Sequence, residues 1–339
     1  METRQPPAFG KGHMAILKDS HSRVFPYLRL SITDVCNFSC KYCLPEGYSC
    51  KNNRSFISID EIRRAVTAFS ELGIWKIRIT GGEPTIRKDF TEIVEMISSL
   101  DAIKDTAFTT NGYRLRDNAE KWYEAGLSSI NISVDSLNPT TFCEITGHDR
   151  LHEVLDGVDK AIEVGFKKVK LNAVLLKNVN DDELNNYLAY IKNKPVTVRF
   201  IELMQTGENL EYFNKYHVSV NILKDKLLED GWVQEVKTCG GGPAITFIHK
   251  DYSGKIGFIA PYSKDFCKGC NRLRITSTGD LRLCLFGDSG ISLRHLLQED
   301  TQKDELKELI LEQLKYKNSA HFLQDGNTGI TPNLASIGG

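Results

Sequence analysis

The sequence predicts an α/β protein: a short parallel barrel of six βα units, followed by a smaller α+β region. Three observations carry this. Short β-branched runs alternate with amphipathic helical stretches from about residue 27 to about residue 202. The stretches between the runs are long enough for helices, which implies crossover connections and parallel pairing. After Met204 the alternation stops and short strands, glycine breakers and charged helix take over. A closed or partly open barrel is the expected arrangement, with a doubly wound open sheet as the alternative. In either one, ligands bind beyond the C-terminal ends of the strands.

The expected strands run from Tyr27 to Ile32, Ile74 to Thr80, Thr106 to Thr109, Ser129 to Val134, Val169 to Leu175 and Val196 to Ile201. The first helix opens with Ser58 three residues before Glu61, a capping box. Another helix runs to Gly126 and a third from His152 to Gly165, each with a glycine stop; a fourth covers Asp182 to Lys192. Beyond Met204 a polar stretch from Gly207 to Tyr216 leads to a helix around Ile222 to Glu229. The breaker Cys239-Gly240-Gly241-Gly242-Pro243 follows, and a long charged helix is expected from about Leu293 to Tyr316. This organisation divides the chain into a flexible N-terminal arm (1–25), a core domain (26–235) and a C-terminal domain (236–339).

Composition narrows the function classes. The chain has 339 residues, 43 basic against 44 acidic, for a net charge of -1. That balance argues against a polybasic nucleic-acid binder, so an anionic ligand needs a local cluster of cations. No apolar run approaches the ~18–20 residues that span a bilayer, and the first ten residues lack a hydrophobic signal core. The expected compartment is the cytosol. There, clustered cysteines are metal ligands more often than disulfides.

Nine cysteines are present, six of them in two groups. Cys36, Cys40 and Cys43 have C-x3-C-x2-C spacing in the loop after the first strand. Three thiolates on one short loop can each bind one iron of a cubane and leave the fourth iron open. A structural zinc knuckle is the alternative, although it asks for a second pair or histidines nearby. Cys267, Cys270 and Cys284 form a second trio, again without an obvious fourth ligand, for which a three-cysteine zinc site completed from afar is the alternative. Cys50, Cys143 and Cys239 have no partner spacing and read as free thiols.

The strands carry a second signal. Arg29, Lys76, Arg78, Lys170 and Arg199 alternate with aliphatic residues on four strands. Period-two geometry puts the aliphatic set on one face and the cations on the other. If helices cover the aliphatic face, Arg29, Arg78, Lys170 and Arg199 point into the lumen, with Asn131, Ser133 and Asn172 on the polar parity of their strands. Buried cations without counter-anions are costly, so the lumen is expected to hold a polyanion such as a nucleoside triphosphate. Singly, each cation could instead pair with an acidic neighbour or snorkel.

The cysteine loop, with Tyr42 before its third cysteine, resembles the radical S-adenosylmethionine (SAM) superfamily, as does Thr80-Gly81-Gly82-Glu83-Pro84. Taken with Thr109-Thr-Asn-Gly112, Arg199-Phe-Ile-Glu-Leu-Met204, the run from Phe266 to Arg274, Cys284-Leu-Phe286 and the terminal Gly338-Gly339, the ordered set resembles the molybdenum cofactor biosynthesis protein A family, the GTP 3′,8-cyclases. The resemblance implies a partial (β/α)6 TIM-like barrel of the radical SAM type and two [4Fe-4S] clusters, one at Cys36, Cys40 and Cys43 and one at Cys267, Cys270 and Cys284. It implies SAM contacts at Tyr42, Gly82, Ser133 and Met204, and GTP contacts at Arg29, Arg78, Thr109, Lys170, Arg272 and Arg274. Catalytic residues would be the first three cysteines with Arg272 and Arg274.

The implied reaction is cleavage of SAM to a 5′-deoxyadenosyl radical, removal of the ribose 3′ hydrogen of GTP, and closure of that carbon onto C8 of guanine. The product, (8S)-3′,8-cyclo-7,8-dihydroguanosine 5′-triphosphate, begins molybdenum cofactor synthesis. An external one-electron reductant and a downstream cyclic pyranopterin monophosphate synthase are the implied partners, with no nucleic acid and no membrane. A homodimer is among the assemblies the resemblance allows. The chain departs from the family pattern at Thr85-Ile86, at Ala244 to Phe247 and at Thr331 to Ile337, before a glycine tail that the resemblance brings into the active site. A paralogue acting on another nucleotide or a peptide is the competing enzyme reading, and a zinc or iron–sulfur binding module the competing non-enzyme one.

Overall fold

The computed structural model describes residues 16–49, 55–236 and 241–337. The core runs β1 (Tyr27–Ser31), α1 (Ile59–Glu71), β2 (Lys76–Thr80), α2 (Phe90–Ser98), β3 (Asp105–Thr110), α3 (Leu115–Glu124), β4 (Ser129–Ser133), α4 (Pro139–Thr146), α5 (Leu151–Val164), β5 (Lys168–Leu175), α6 (Leu184–Ile191) and β6 (Val196–Glu202). Then come α7 (Leu210–Tyr216), α8 (Asn221–Glu229), β7 (Val233–Gln234), β8 (Ile245–Ile248), β9 (Lys255–Ile259), β10 (Arg272–Ile275), β11 (Asp280–Arg282), β12 (Ile291–Ser292) and α9 (Lys303–Leu314).

The six core strands are parallel neighbours in chain order, and β1 and β6 are not paired to each other. The barrel is therefore partial, as the sequence predicts. The C-terminal segment extends both open edges of the same sheet: β9 pairs parallel to β6, and β10 parallel to β1. The chain between β9 and β10, which carries Cys267 and Cys270, thus leads from one open edge of the barrel to the other. Doubly buried parallel strands normally read as continuous apolar runs. Here one face does: Leu28, Leu30, Ile77, Ile79, Ile130, Ile132, Leu171 and Val198 are fully buried in a core shared with the helices.

Local chemistry sets the boundaries. The capping box of α1 is complete, with Ser58 Oγ accepting from Glu61 N at 3.2 Å and Glu61 Oε2 accepting from Ser58 N at 2.7 Å. Gly126 and Gly165 end their helices at φ 105° and 99°, a region L side chains adopt only at a cost.

Three expectations are corrected. Residues 16–25 are not an arm. They form a turn in which Asp19 accepts from the backbone of His21 and Arg23 and from Arg23 Nε, and Leu17 and Phe25 are buried. The polar stretch from Gly207 contains α7, whose Tyr212, Phe213 and Tyr216 pack around Leu176 and Leu203. The final helix begins only at Lys303; two 3-10 turns precede it, and a capping box between Glu299 and Gln302 restarts the chain there. Cys50, Cys239 and the terminal Gly338-Gly339 lie outside the described residues.

The capping box yields a stability prediction. Ser58→Ala should remove about 1 kcal/mol, seen as a lower urea midpoint with an unchanged slope.

Candidate active site

The first trio sits in the loop after β1. That loop is anchored by backbone bonds from Ser39 and Lys41 to the C-terminal carbonyls of α4, Thr146 and Ile145, at 3.2 and 3.0 Å. His148, which the sequence leaves without a role, stacks on Phe38 with ring centroids 4.6 Å apart. Tyr42 donates its hydroxyl to Asp135 at 2.9 Å, and Asp135 also accepts from Val174 N. Asn209 donates to the carbonyls of Met204 and Tyr42, tying the cysteine loop to the end of β6.

Gly81 and Gly82 admit the chain's own backbone. A Cβ on Gly82 would lie 2.4 Å from the carbonyl oxygen of Val35, and one on Gly81 2.4 Å from that of Thr33. The close approach is by the chain's own backbone: Gly82 N and Glu83 N donate to Thr33 and Val35 at 3.0 and 2.8 Å. Glu83, fully buried, accepts from Thr85 N and Oγ1, Thr110 Oγ1 and Asn111 N. It welds the loops after β1, β2 and β3 into one rim, a structural role.

Behind this rim lies a cavity of about 580 Å³. Arg29, Arg78, Lys170, Arg199, Arg272 and Arg274 line it, together with Met204, Asn131 and Asn172. The parity argument therefore holds, and strand register sharpens it. Arg274, Arg29 and Arg78 are direct neighbours across β10, β1 and β2, and Asn172 faces Arg199 across β5 and β6. Like charges opposite one another destabilise a sheet.

The titration behaviour reflects the crowding. Burial, then Arg199, Arg78, Lys76 and Lys168, push Lys170 down to about 5. Burial and Arg78 bring Arg199 to about 10. Arg78 NH1, Arg199 Nε and Arg272 Nε are buried donors with no partner. Unpaired buried donors of this kind suit an anion. Lys76 is the exception, paired with Asp105 at 2.8 Å.

The second trio forms part of the same wall: Cys267, Cys270 and Cys284 line the cavity beside Phe266, Phe286 and His321. Arg23 NH1 donates to the Cys267 carbonyl, and His321 N to Cys267 Sγ at 3.4 Å. Thr109, Ser133, Gly82, Tyr42 and the first trio are not among the residues lining this cavity. Thr109 and Asn131 are neighbours across β3 and β4, and Ser133 and Asn172 across β4 and β5; Thr109 and Ser133 lie at the C-terminal ends of their strands. His321 was missed by the sequence reading, since only the fold brings it to Cys267; so was Lys317, buried beside the second trio.

Both trios fit iron–sulfur clusters by donor chemistry. Burial, and in part mutual repulsion, push Cys36 up to about 12 and Cys43 up to about 11, and raise Cys40 as well. Such thiols release protons only to a strongly Lewis-acidic group. The backbone amides of Ala335 and Leu334 approach the Cys43 sulfur and partly offset the effect of its burial, which brings this part of the tail beside the first trio. At the second trio, burial raises Cys270 but Lys317 and Arg272 outweigh it, for a net value of about 7. Burial lowers Lys317, and the groups opposing this are Cys270 and Cys284; a cation so enclosed fits a net anionic cluster. Among the described residues no three His, Cys, Asp or Glu side chains converge tightly enough for a single ion, whereas a cubane spreads three sulfurs over three irons.

Residues 30–191 match the Radical SAM superfamily and residues 196–323 match Molybdenum Cofactor Synthesis C. The chain is 54% identical over 334 residues to the GTP 3′,8-cyclase of Tolumonas auensis, covering 98% of this chain and 99% of that one. It is 55% identical to the GTP 3′,8-cyclase of Vibrio atlanticus, covering 95% and 97%. Among solved structures, Streptococcus suis SuiB bound to S-adenosylmethionine superposes with a TM-score of 0.60 at 16% identity, over 90% of this chain and 72% of SuiB, a likeness of fold.

The backbone contact at Gly82 makes a prediction. Gly82→Ala should displace the loop from Val35 and lower iron content after anaerobic reconstitution, because the displaced segment lies next to Cys36 in the cysteine loop after β1. Full iron content would contradict the packing described.

Proposed function

The chain belongs to the GTP 3′,8-cyclase family of radical SAM enzymes, and from that premise we propose how its residues divide the work. The reaction converts GTP to (8S)-3′,8-cyclo-7,8-dihydroguanosine 5′-triphosphate, the first step of molybdenum cofactor biosynthesis. The observation that carries our assignment is the convergence of six cations from β1, β2, β5, β6 and β10 on one cavity that also contains the second cysteine trio.

Cys36, Cys40 and Cys43 would hold the [4Fe-4S] cluster of the radical SAM family, and Cys267, Cys270 and Cys284 a second one. When bound, the first cluster and SAM supply the one-electron cleavage that starts the radical chemistry. Tyr42, Gly82, Ser133 and Met204 hold SAM at the rim. Tyr42 is fixed for this by Asp135, and Met204 by the bond of its carbonyl to Asn209. Arg29, Arg78, Lys170 and Arg199 neutralise the triphosphate, and Thr109, Arg272 and Arg274 orient the nucleoside toward the second trio. Held this way, the ribose would give its 3′ hydrogen to the 5′-deoxyadenosyl group, that carbon would bond to C8 of the same guanine, and one electron from the external reductant with one proton would complete the 7,8-dihydro ring. Fixed geometry and a chamber that excludes water are the protein's contribution, because they keep a reactive nucleotide from side reactions.

The position of the tail also supports a role in the site. Thr331 Oγ1 donates to Leu285 O and accepts from Arg282, Gly207 N and Glu208 N donate to Thr331 O and Pro332 O, and the next turn reaches Cys43. The altered residues before the terminal glycines thus sit in a well-bonded strap. An external one-electron reductant, a downstream cyclic pyranopterin monophosphate synthase and a cytosolic location complete the reading. No described helix is long and apolar enough to cross a membrane. A peptide substrate offers the barrel's cations no polyanion to bind, which favours the nucleotide.

Anaerobic turnover with GTP and SAM is the direct test. One cyclised nucleotide per 5′-deoxyadenosine is expected, and SAM cleavage without nucleotide product would refute the reading. Replacing Cys267, Cys270 and Cys284 by Ser should spare 5′-deoxyadenosine formation and abolish the cyclic product. Lys170 gives an independent check. With a pKa of about 5 in the ligand-free chamber, it is neutral at pH 8, and a bound triphosphate raises that pKa. Binding of GTP at pH 8 should therefore take up about one proton per site through Lys170, read by calorimetry in buffers of different ionisation enthalpy, and Lys170→Met should lower the uptake by that proton.

A further inference from the structure

Tyr27 opens β1 inside the cationic cavity and is 4% exposed. Across the sheet it faces Arg272 on β10 and Lys76 on β2. Lys76 Nζ lies 5.4 Å from its ring centroid and the Arg78 guanidinium carbon 5.9 Å. Its hydroxyl oxygen accepts from Arg78 Nε at 2.5 Å. The two cations of β2 are therefore held differently. Lys76 has a carboxylate, Asp105. Among the described residues Arg78 has no carboxylate partner; the phenol oxygen holds its Nε, while NH1 is buried with no acceptor.

A guanidinium is a rigid plane, so a bond at Nε fixes the direction of its NH1 and NH2 edge. The choice of partner matters as much as the bond. A carboxylate would orient Arg78 but cancel its charge and compete with an incoming phosphate. A neutral phenol orients the fork and leaves the charge available to a ligand. Burial alone would raise the pKa of this phenol; Arg78, Arg29 and Lys76 bring it down to about 8, so at pH 7 the hydroxyl is still mostly protonated.

We propose that Tyr27 is a positioning residue for the polyphosphate end of the substrate: its hydroxyl holds Arg78 so that the remaining edge of the guanidinium binds phosphate oxygens, without itself contacting the nucleoside. This rests on the GTP reading and adds which portion of the nucleotide Tyr27 serves.

The test compares GTP with guanosine in anaerobic equilibrium binding to the reconstituted holoenzyme, wild type against Tyr27→Phe, with iron content and thermal midpoint recorded for both. Wild type should bind GTP more tightly than guanosine. Tyr27→Phe keeps the ring and removes the acceptor; it should weaken GTP about tenfold, the typical worth of a hydrogen bond to a charged group, and leave guanosine unchanged. Equal loss for both ligands would mean a merely structural role, and an unchanged GTP to guanosine ratio would mean no role; either overturns the proposal. A wild type that binds both ligands equally would instead refute the GTP reading itself. If Tyr27→Phe fails to take up iron, Tyr27→Gln, which keeps an oxygen acceptor, is compared in its place. It should retain part of the preference for GTP, and losing none of it or all of it together with guanosine binding counts against the proposal as before.

Discussion

The constraint on which this structure turns is a set of like charges held face to face in a buried lumen. Arg274, Arg29 and Arg78 occupy one row across three adjacent strands. Two like charges about 5 Å apart at an effective dielectric near 20 repel by roughly 3 kcal/mol, so such a row opposes folding. The opposite face of the same strands supplies the compensation: Leu28, Leu30, Ile77 and Ile79 are wholly buried under the helices. Lys170 relieves part of the repulsion by giving up its proton. The arginines lack that option in practice, and they keep the field that attracts an anion. Stability supplied by one face of the sheet is thus spent on affinity at the other.

The two cysteine trios embody different electrostatic solutions. The first is shielded by burial, with its thiols near acidic groups, and its sulfurs are approached by backbone amides from Phe38 and from the tail. The second lies among Lys317, Arg272 and Arg23, which make Cys270 far more acidic than the thiols of the first trio. Charge near a cluster and hydrogen bonds to its sulfurs are what set its potential. The two trios are thus held in unlike surroundings.

Much of this was legible in the sequence because the signals are local. Cysteine spacing survives as loop geometry, and period-two alternation survives as a luminal face; all six core strands lie where β-branched runs place them. What the sequence hides is whatever depends on register or on distant segments meeting. Tyr27 reads as an ordinary strand-opening aromatic until β2 is laid beside β1. His321 lies 54 residues from the sulfur its backbone contacts, and no motif links them. Residues 16–25 resemble a polar arm because the two apolar anchors, Leu17 and Phe25, are separated by the turn they stabilise. Gly81 and Gly82 are also needed for a contact that no motif reveals, with the carbonyls of Thr33, Asp34 and Val35. The final helix starts late because a single capping box between Glu299 and Gln302 outweighs the helical propensity of the residues before it.

The strap formed by residues 331–337 has a mechanical consequence. Its contacts join Leu285 beside the second trio, the segment before α7, and finally Cys43 in the first. One short stretch of chain thus touches both cysteine loops, so a shift of either loop strains the bonds that hold the other.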